Sequence, residues 1–162
     1  MSINNILVSG YPKPADFLPG AIYEDYKVVI NVSDEFSIKH HDALLNLNIR
    51  SFYFPMGELI PDMGLNSLFG ALNVLYLYRN EKILLHCHAG RNRSPTVYAA
   101  YYFMLNNTHL PGNNKLLKNS SNNHLPPLYK MEVFLKNCKA VFDQTFVFAG
   151  GAYDWVIEES LL

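Results

Sequence analysis

Cysteine is scarce in this sequence, and so is charge of either sign. Only Cys87 and Cys138 occur in 162 residues, too few for the disulfide framework of a small secreted domain. An apolar core must hold the chain together, and the expected setting is intracellular and reducing. Charged residues make up 17% and balance to a formal −1, which argues against a protein held on nucleic acid by general basicity. No apolar run reaches the ~18–20 residues of a membrane-spanning helix. Met1-Ser2-Ile3-Asn4-Asn5 lacks the basic stretch and long apolar run of a signal peptide. These absences point to a soluble cytoplasmic protein with no stable membrane anchor and no nucleic-acid partner. Internal repeats and linker-like stretches are also missing, so residues 1–162 read as one domain.

Apolar side chains are abundant at 49%, enough for a core without staples. Their pattern alternates between strand and helix. Ile6-Leu7-Val8-Ser9-Gly10 reads as a short strand that stops at a turn, and Tyr11 to Gly20, with prolines at 12, 14 and 19, as loop or short turns. Lys27 to Val32 is a β-branched run suited to a strand buried on both faces. His40 to Leu47 suits a short helix, with His40-His41-Asp42 as its solvated start. Arg50 to Pro55 reads as a strand and Gly57 to Gly64 as a loop. Leu65, Leu68, Phe69, Leu72, Leu75 and Tyr76 recur at helical spacing, predicting a helix to about Arg79-Asn80. Lys82 to His86 is a further strand, and Ser94 to Leu105 a helix with Pro95 in its first turn, where its missing N–H matters least. Asn106 to Pro127 reads as a polar surface loop, Leu128 to Phe142 as a helix and Tyr153 to Leu161 as a last short one. The expected fold is α/β, with a mostly parallel central sheet of about four to five strands flanked by helices.

The chemistry concentrates where the Lys82–His86 strand gives way to the Ser94 helix. Ligands of open α/β sheets bind beyond the C-terminal strand ends, and a loop opening a helix aims amide N–H groups and the positive helix end at one point. Ala89 and Gly90 keep side chains clear, so the loop can curl round an anion. Arg93, six positions after Cys87, offers a planar guanidinium able to grip two phosphate oxygens. The same field acts on Cys87. A free thiol titrates near ~8.5, and such surroundings bring it to ~3.5–7.5. A drop of ~3 units needs ~4 kcal/mol of thiolate preference. A place that binds a phosphate dianion is thus also one that makes a sulfur nucleophile.

The run His86-Cys87-His88-Ala89-Gly90-Arg91-Asn92-Arg93-Ser94 resembles the signature of the protein tyrosine phosphatase superfamily: Cys, five residues, Arg, then Ser or Thr. His86, Ala89-Gly90 and Ser94-Pro95-Thr96 resemble the dual-specificity branch in particular. The resemblance spans roughly residues 6–105 and implies the phosphatase-type fold. It implies that Cys87 forms a phosphocysteine intermediate and that Arg93 binds phosphate and stabilises the transition state. Ser94 would hydrogen-bond the sulfur and help it leave, and His86 would order the loop from behind. His88, Ala89, Gly90, Arg91 and Asn92 complete the phosphate-binding loop. No cofactor is implied.

A general acid must protonate the leaving oxygen. Asp62, in Ile60-Pro61-Asp62-Met63-Gly64 and 25 residues before Cys87, resembles the family's acid, at a spacing on the short side. Glu58 on the same loop competes, and Asp62 alternatively serves only to start the next helix. Asp34 and Glu35 read as loop carboxylates near the site mouth.

His86-Cys87-His88 is not expected to bind metal, because neighbours in extended chain point opposite ways and no second Cys/His pair stands at zinc spacing. Low-molecular-weight phosphatases and arsenate reductases share the Cys-five-Arg spacing, but their Cys loop lies near the N-terminus and their acid follows it. Rhodanese-like proteins share only the loop size. Cys138 reads as a packed thiol on a helix, or else as a resolving partner for oxidised Cys87. The expected substrate is a phosphorylated protein, through phosphotyrosine and also phosphoserine or phosphothreonine. His88 and Arg91 stand where phosphoinositide phosphatases of the tumour-suppressor type carry Lys, so a phosphoinositide or other small phosphate ester is the alternative. A phosphate-recognition module without catalysis is a third reading. Such modules typically lose the Cys, the Arg or the acid.

Overall fold

The computed structural model describes residues 4–57, 65–90 and 93–106, with backbone only at residue 65. Glu58, Asp62, Arg91, Asn92 and Cys138 lie outside the described residues, as do the two helices expected after Leu128. Among the described residues, four strands form one sheet: β1 (Ile6–Ser9), β2 (Val28–Asn31), β3 (Arg50–Tyr53) and β4 (Ile83–His86). Their order is β1-β4-β2-β3 and every pairing is parallel, as the alternation of strand and helix predicts. The helices are α1 (Ile38–Asn46), α2 (Leu65–Leu77) and α3 (Arg93–Asn106), with a 3₁₀ turn at Pro14–Phe17.

Both faces of the sheet are covered, which is why β2 and β4 are apolar without alternation. On one face Val28, Ile30, Ile83 and Leu85 pack with Leu68, Leu72 and Leu75 of α2 and Val97 and Ala100 of α3. On the other, Val29 and Leu84 meet Phe17, Leu44 and Ile49. Successive side chains thus serve opposite layers. Val28 and Leu85, and nearly all their neighbours, are excluded from water.

Several element boundaries differ from expectation by a residue or two. Helix α1 begins at Ile38, two residues early, because the Ser37 side chain accepts from the His40 N–H at 3.2 Å and caps it. Nor is the histidine pair a solvated helix start. His40 and His41 are half-buried. His40 Nε2 lies 2.8 Å from the Pro12 carbonyl and His41 Nδ1 3.0 Å from Ser51 Oγ. Asn106 closes α3 rather than opening a loop, its side chain donating to the Tyr102 carbonyl at 3.1 Å.

The parallel register has a consequence for function. Ser9, Asn31 and His86 are paired across β1, β2 and β4, and Asn31 pairs with Tyr53 of β3. All four strands therefore end in one row. The loops that follow them gather at one edge, with the Cys87 loop between those of β1 and β2.

Candidate active site

The Cys87 loop is held at its start by both neighbouring strands. Val32 N–H donates to the His86 carbonyl and Tyr11 N–H to the His88 carbonyl, each at 2.9 Å. These bonds continue the β2–β4 and β1–β4 ladders past the strand ends. The chain then turns at Gly90, whose φ is +73°. A Cβ there would lie 2.7 Å from Gly10 N and Ser9 C, so both the dihedral and the space require glycine.

The turn brings donors to the sulfur. Cys87 is buried, at 2% exposure. Its Sγ lies 3.2 Å from Ser94 Oγ and accepts from the Gly90 N–H at 3.3 Å. The Gly90 N–H can only donate and so favours a negatively charged sulfur over a neutral one, and the Ser94 hydroxyl adds to this when it is the donor. Ser94 sits in the first turn of α3, so the helix N-terminus adds its partial positive charge.

Arg93 opens α3 and is buried, at 4% exposure. Its Nη1 donates to Asp34 Oδ1 at 2.7 Å and to the Met56 carbonyl at 3.2 Å. A carboxylate and a carbonyl on one guanidinium nitrogen fix the plane of the group. The Arg93 hydrogen bond, aided by Asp34's own backbone, holds the Asp34 carboxyl below its ordinary range.

Asp34 and Glu35 do stand at the site mouth, but in specific pairings. Glu35 Oε1 lies 3.4 Å from His88 Nδ1, both side chains being more than half exposed. The loop carrying these carboxylates is shaped by Asn31, whose Oδ1 accepts from Ser33 N–H at 2.9 Å and Ser33 Oγ at 2.6 Å. Asn31 Nδ2 donates to the Glu35 carbonyl at 2.9 Å. Asn31, Ser33, Met56 and Tyr11 were not singled out from sequence. The available signal was Asn31 itself, a polar residue at the end of an otherwise apolar central strand, where burial demands partners.

His86 lies behind the loop and is 1% exposed. Its Nδ1 is 3.1 Å from the Cys87 carbonyl, an oxygen that only accepts, so Nδ1 carries the proton. The ring stands edge-on to Tyr11, centroids 4.7 Å apart. Burial pushes its pKa down to about 4, against a small upward pull from the Cys87 carbonyl and a further push down from His40. Between pH 6.5 and about 4 the unfolded chain binds a proton that the folded protein refuses. Stability therefore rises with pH across that window and is flat above it, by about 3 kcal/mol in all. A thermal-unfolding series from pH 4 to 7 should show this rise, and His86→Gln should flatten it. An equal slope in the variant would assign the effect elsewhere.

No protein-family model matches this sequence, and no curated protein matches it. The fold nonetheless has clear counterparts among solved structures. PTPMT1 superposes with a TM-score of 0.64 at 18% identity, over 86% of this chain and 95% of that one. The core catalytic domain of the PP-IP phosphatase SIW14 from S. cerevisiae gives 0.63 at 16%, over 88% and 89%. DUSP15 gives 0.57 at 14%, over 99% and 94%. The chain thus has the fold of the cysteine-based phosphatases of the protein tyrosine and dual-specificity type. Among the described residues, no helix is long and apolar enough to cross a membrane.

Proposed function

We propose that this protein is a cysteine-dependent phosphatase that hydrolyses phosphate monoesters of proteins, with phosphotyrosine as the principal substrate and phosphoserine or phosphothreonine as further ones. The observation that carries the reading is the buried Cys87 sulfur, in contact with Ser94 Oγ and the Gly90 N–H, on a loop closed by Arg93. In the first step the Cys87 thiolate attacks phosphorus, the ester P–O bond breaks and the leaving oxygen takes a proton from a carboxylic acid. In the second, water attacks the phosphocysteine, its proton passes to that carboxylate, and the S–P bond breaks as Ser94 donates to the departing sulfur. Arg93 holds two phosphate oxygens throughout, and the amides of residues 88–92 hold the rest. The cytoplasm, with its reduced thiols, suits this chemistry. Release of p-nitrophenol from its phosphate tests the activity directly.

Asp62 is our choice for the acid, with Glu58 as its competitor. Asp62→Asn should lower turnover of an aryl phosphate by ~10²-fold, and by less for leaving groups that need no proton. Wild-type turnover in Asp62→Asn, with the loss appearing in Glu58→Gln, would transfer the role.

A second reading is favoured by the basic character of His88 and Arg91 and by the neighbours themselves. One is a PP-IP phosphatase, and PTPMT1 has been crystallised with PI(5)P. A panel of phosphopeptides and phosphoinositides separates the two. On the first reading, Arg91→Ala changes peptide and lipid turnover alike. A loss confined to phosphoinositides would establish the second.

A further inference from the structure

The β1 strand contributes no residue to the sequence signature, yet the loop after it is built into the back of the site. Ser9 ends β1 in register with His86. Gly10 and Tyr11 then run along the Cys87 loop at backbone contact. A Cβ on Gly10 would lie 3.0 Å from the His88 carbonyl, and a Cβ on Gly90 would lie 2.7 Å from Gly10 N. Two glycines facing each other allow the two backbones to touch.

Tyr11 touches four residues from that position. Its N–H donates to the His88 carbonyl at 2.9 Å. Its ring packs between two imidazoles, edge-on to His86 at 4.7 Å and to His40 at 5.0 Å. Its hydroxyl is 3.5 Å from Asn31 Nδ2, at the outer limit of a hydrogen bond. His40 is itself held by the Pro12 carbonyl at 2.8 Å, so α1 clamps the stack from behind. The residues flanking Cys87 on both sides are thus touched by one side chain and its backbone.

We infer that Tyr11 is a positioning residue of the Cys87 loop, setting its curvature through His86 and His88 so that Gly90 N–H and Ser94 Oγ converge on the sulfur. This rests on the reading of Cys87 as the nucleophile. The physical reason is geometric. A hydrogen-bond donor stabilises a sulfur's charge only when it points at it, and a displacement of about 1 Å in such a constellation lowers a rate by up to ~10²-fold. Tyr11 acts on the donors' placement and not on substrate.

The test is the pH dependence of Cys87 alkylation by iodoacetamide, with turnover of p-nitrophenyl phosphate measured alongside. Tyr11→Ala should raise the alkylation midpoint by about one pH unit and lower kcat by ~10-fold or more, with a smaller change in KM. Tyr11→Phe keeps the ring and the backbone N–H and loses only the long hydroxyl contact, so it should stay within about twofold of wild type. A protein with a merely structural need for Tyr11 would lose thermal stability while keeping its midpoint. Equal midpoints in wild type and Tyr11→Ala overturn the inference. If Tyr11→Ala does not fold, Gly10→Ala presses on the same His88 carbonyl while retaining the aromatic ring. It should move the midpoint the same way, and an unmoved midpoint again overturns the role. Failure of the wild type to hydrolyse any phosphate ester would remove the phosphatase reading, whereas the alkylation comparison would still decide the hold of Tyr11 on the loop.

Discussion

Cys87→Ser should bring release of p-nitrophenol down to background, a loss of about 10⁴-fold or more. Serine nearly preserves the shape of the side chain in a site where Cys87 is 2% exposed, so the fold should survive. What disappears is the proposed nucleophile. The Gly90 N–H at 3.3 Å, and the Ser94 hydroxyl at 3.2 Å when it donates, bias a thiol toward its anion. An alcohol is too weak an acid to respond to the same bias near neutrality. The cradle itself remains, so tungstate, an oxyanion of phosphate shape, should bind the variant nearly as well as it binds wild type. Residual turnover above about 1% in the variant would show that the sulfur is not the attacking atom. Loss of tungstate binding along with turnover would show that the substitution had disturbed the loop.

Arg93→Lys should lower kcat/KM by about 10²–10³-fold even though the charge is retained. The argument is one of donor count and shape. One guanidinium nitrogen of Arg93 already serves Asp34 at 2.7 Å and the Met56 carbonyl at 3.2 Å. A guanidinium carries five N–H donors in a planar fork that matches two phosphate oxygens, a geometry no ammonium reproduces. A lysine has a single nitrogen with three protons. It cannot satisfy Asp34, Met56 and a bidentate oxyanion from one point, and Asp34 is the nearest competitor for it. Affinity for tungstate should fall together with kcat. A variant keeping more than about a third of wild-type kcat/KM would mean that charge alone suffices and that the fork has no role.

Much of this architecture is legible in the chain. The continuous apolar runs Val28-Val29-Ile30 and Ile83-Leu84-Leu85 announce strands covered on both faces, and the period-3.6 pattern from Leu65 announces the helix that covers one of them. The loop from Cys87 to Ser94 is legible because its requirements are local. A sulfur, two small residues, a guanidinium and a hydroxyl lie within eight consecutive positions, and a strand-to-helix turn is enough to bring them together. The roles of His40 and His41 were misread for the opposite reason. Their partners, Pro12 and Ser51, come from separate elements, and no helical periodicity encodes a contact across the sheet.

The sequence by itself determined the four strands and three helices of the described residues, the Cys87 loop and the need for glycine near its apex, because each depends on side-chain chemistry and spacing within one short segment. Tertiary structure alone decided which distant groups complete the site. Asp34, 59 positions before Arg93, and the Met56 carbonyl, 37 before it, fix the guanidinium, while Tyr11 reaches the His88 carbonyl from the loop after β1. The cause is the parallel register, which ends all four strands in one row and so makes neighbours of loops that the chain visits far apart.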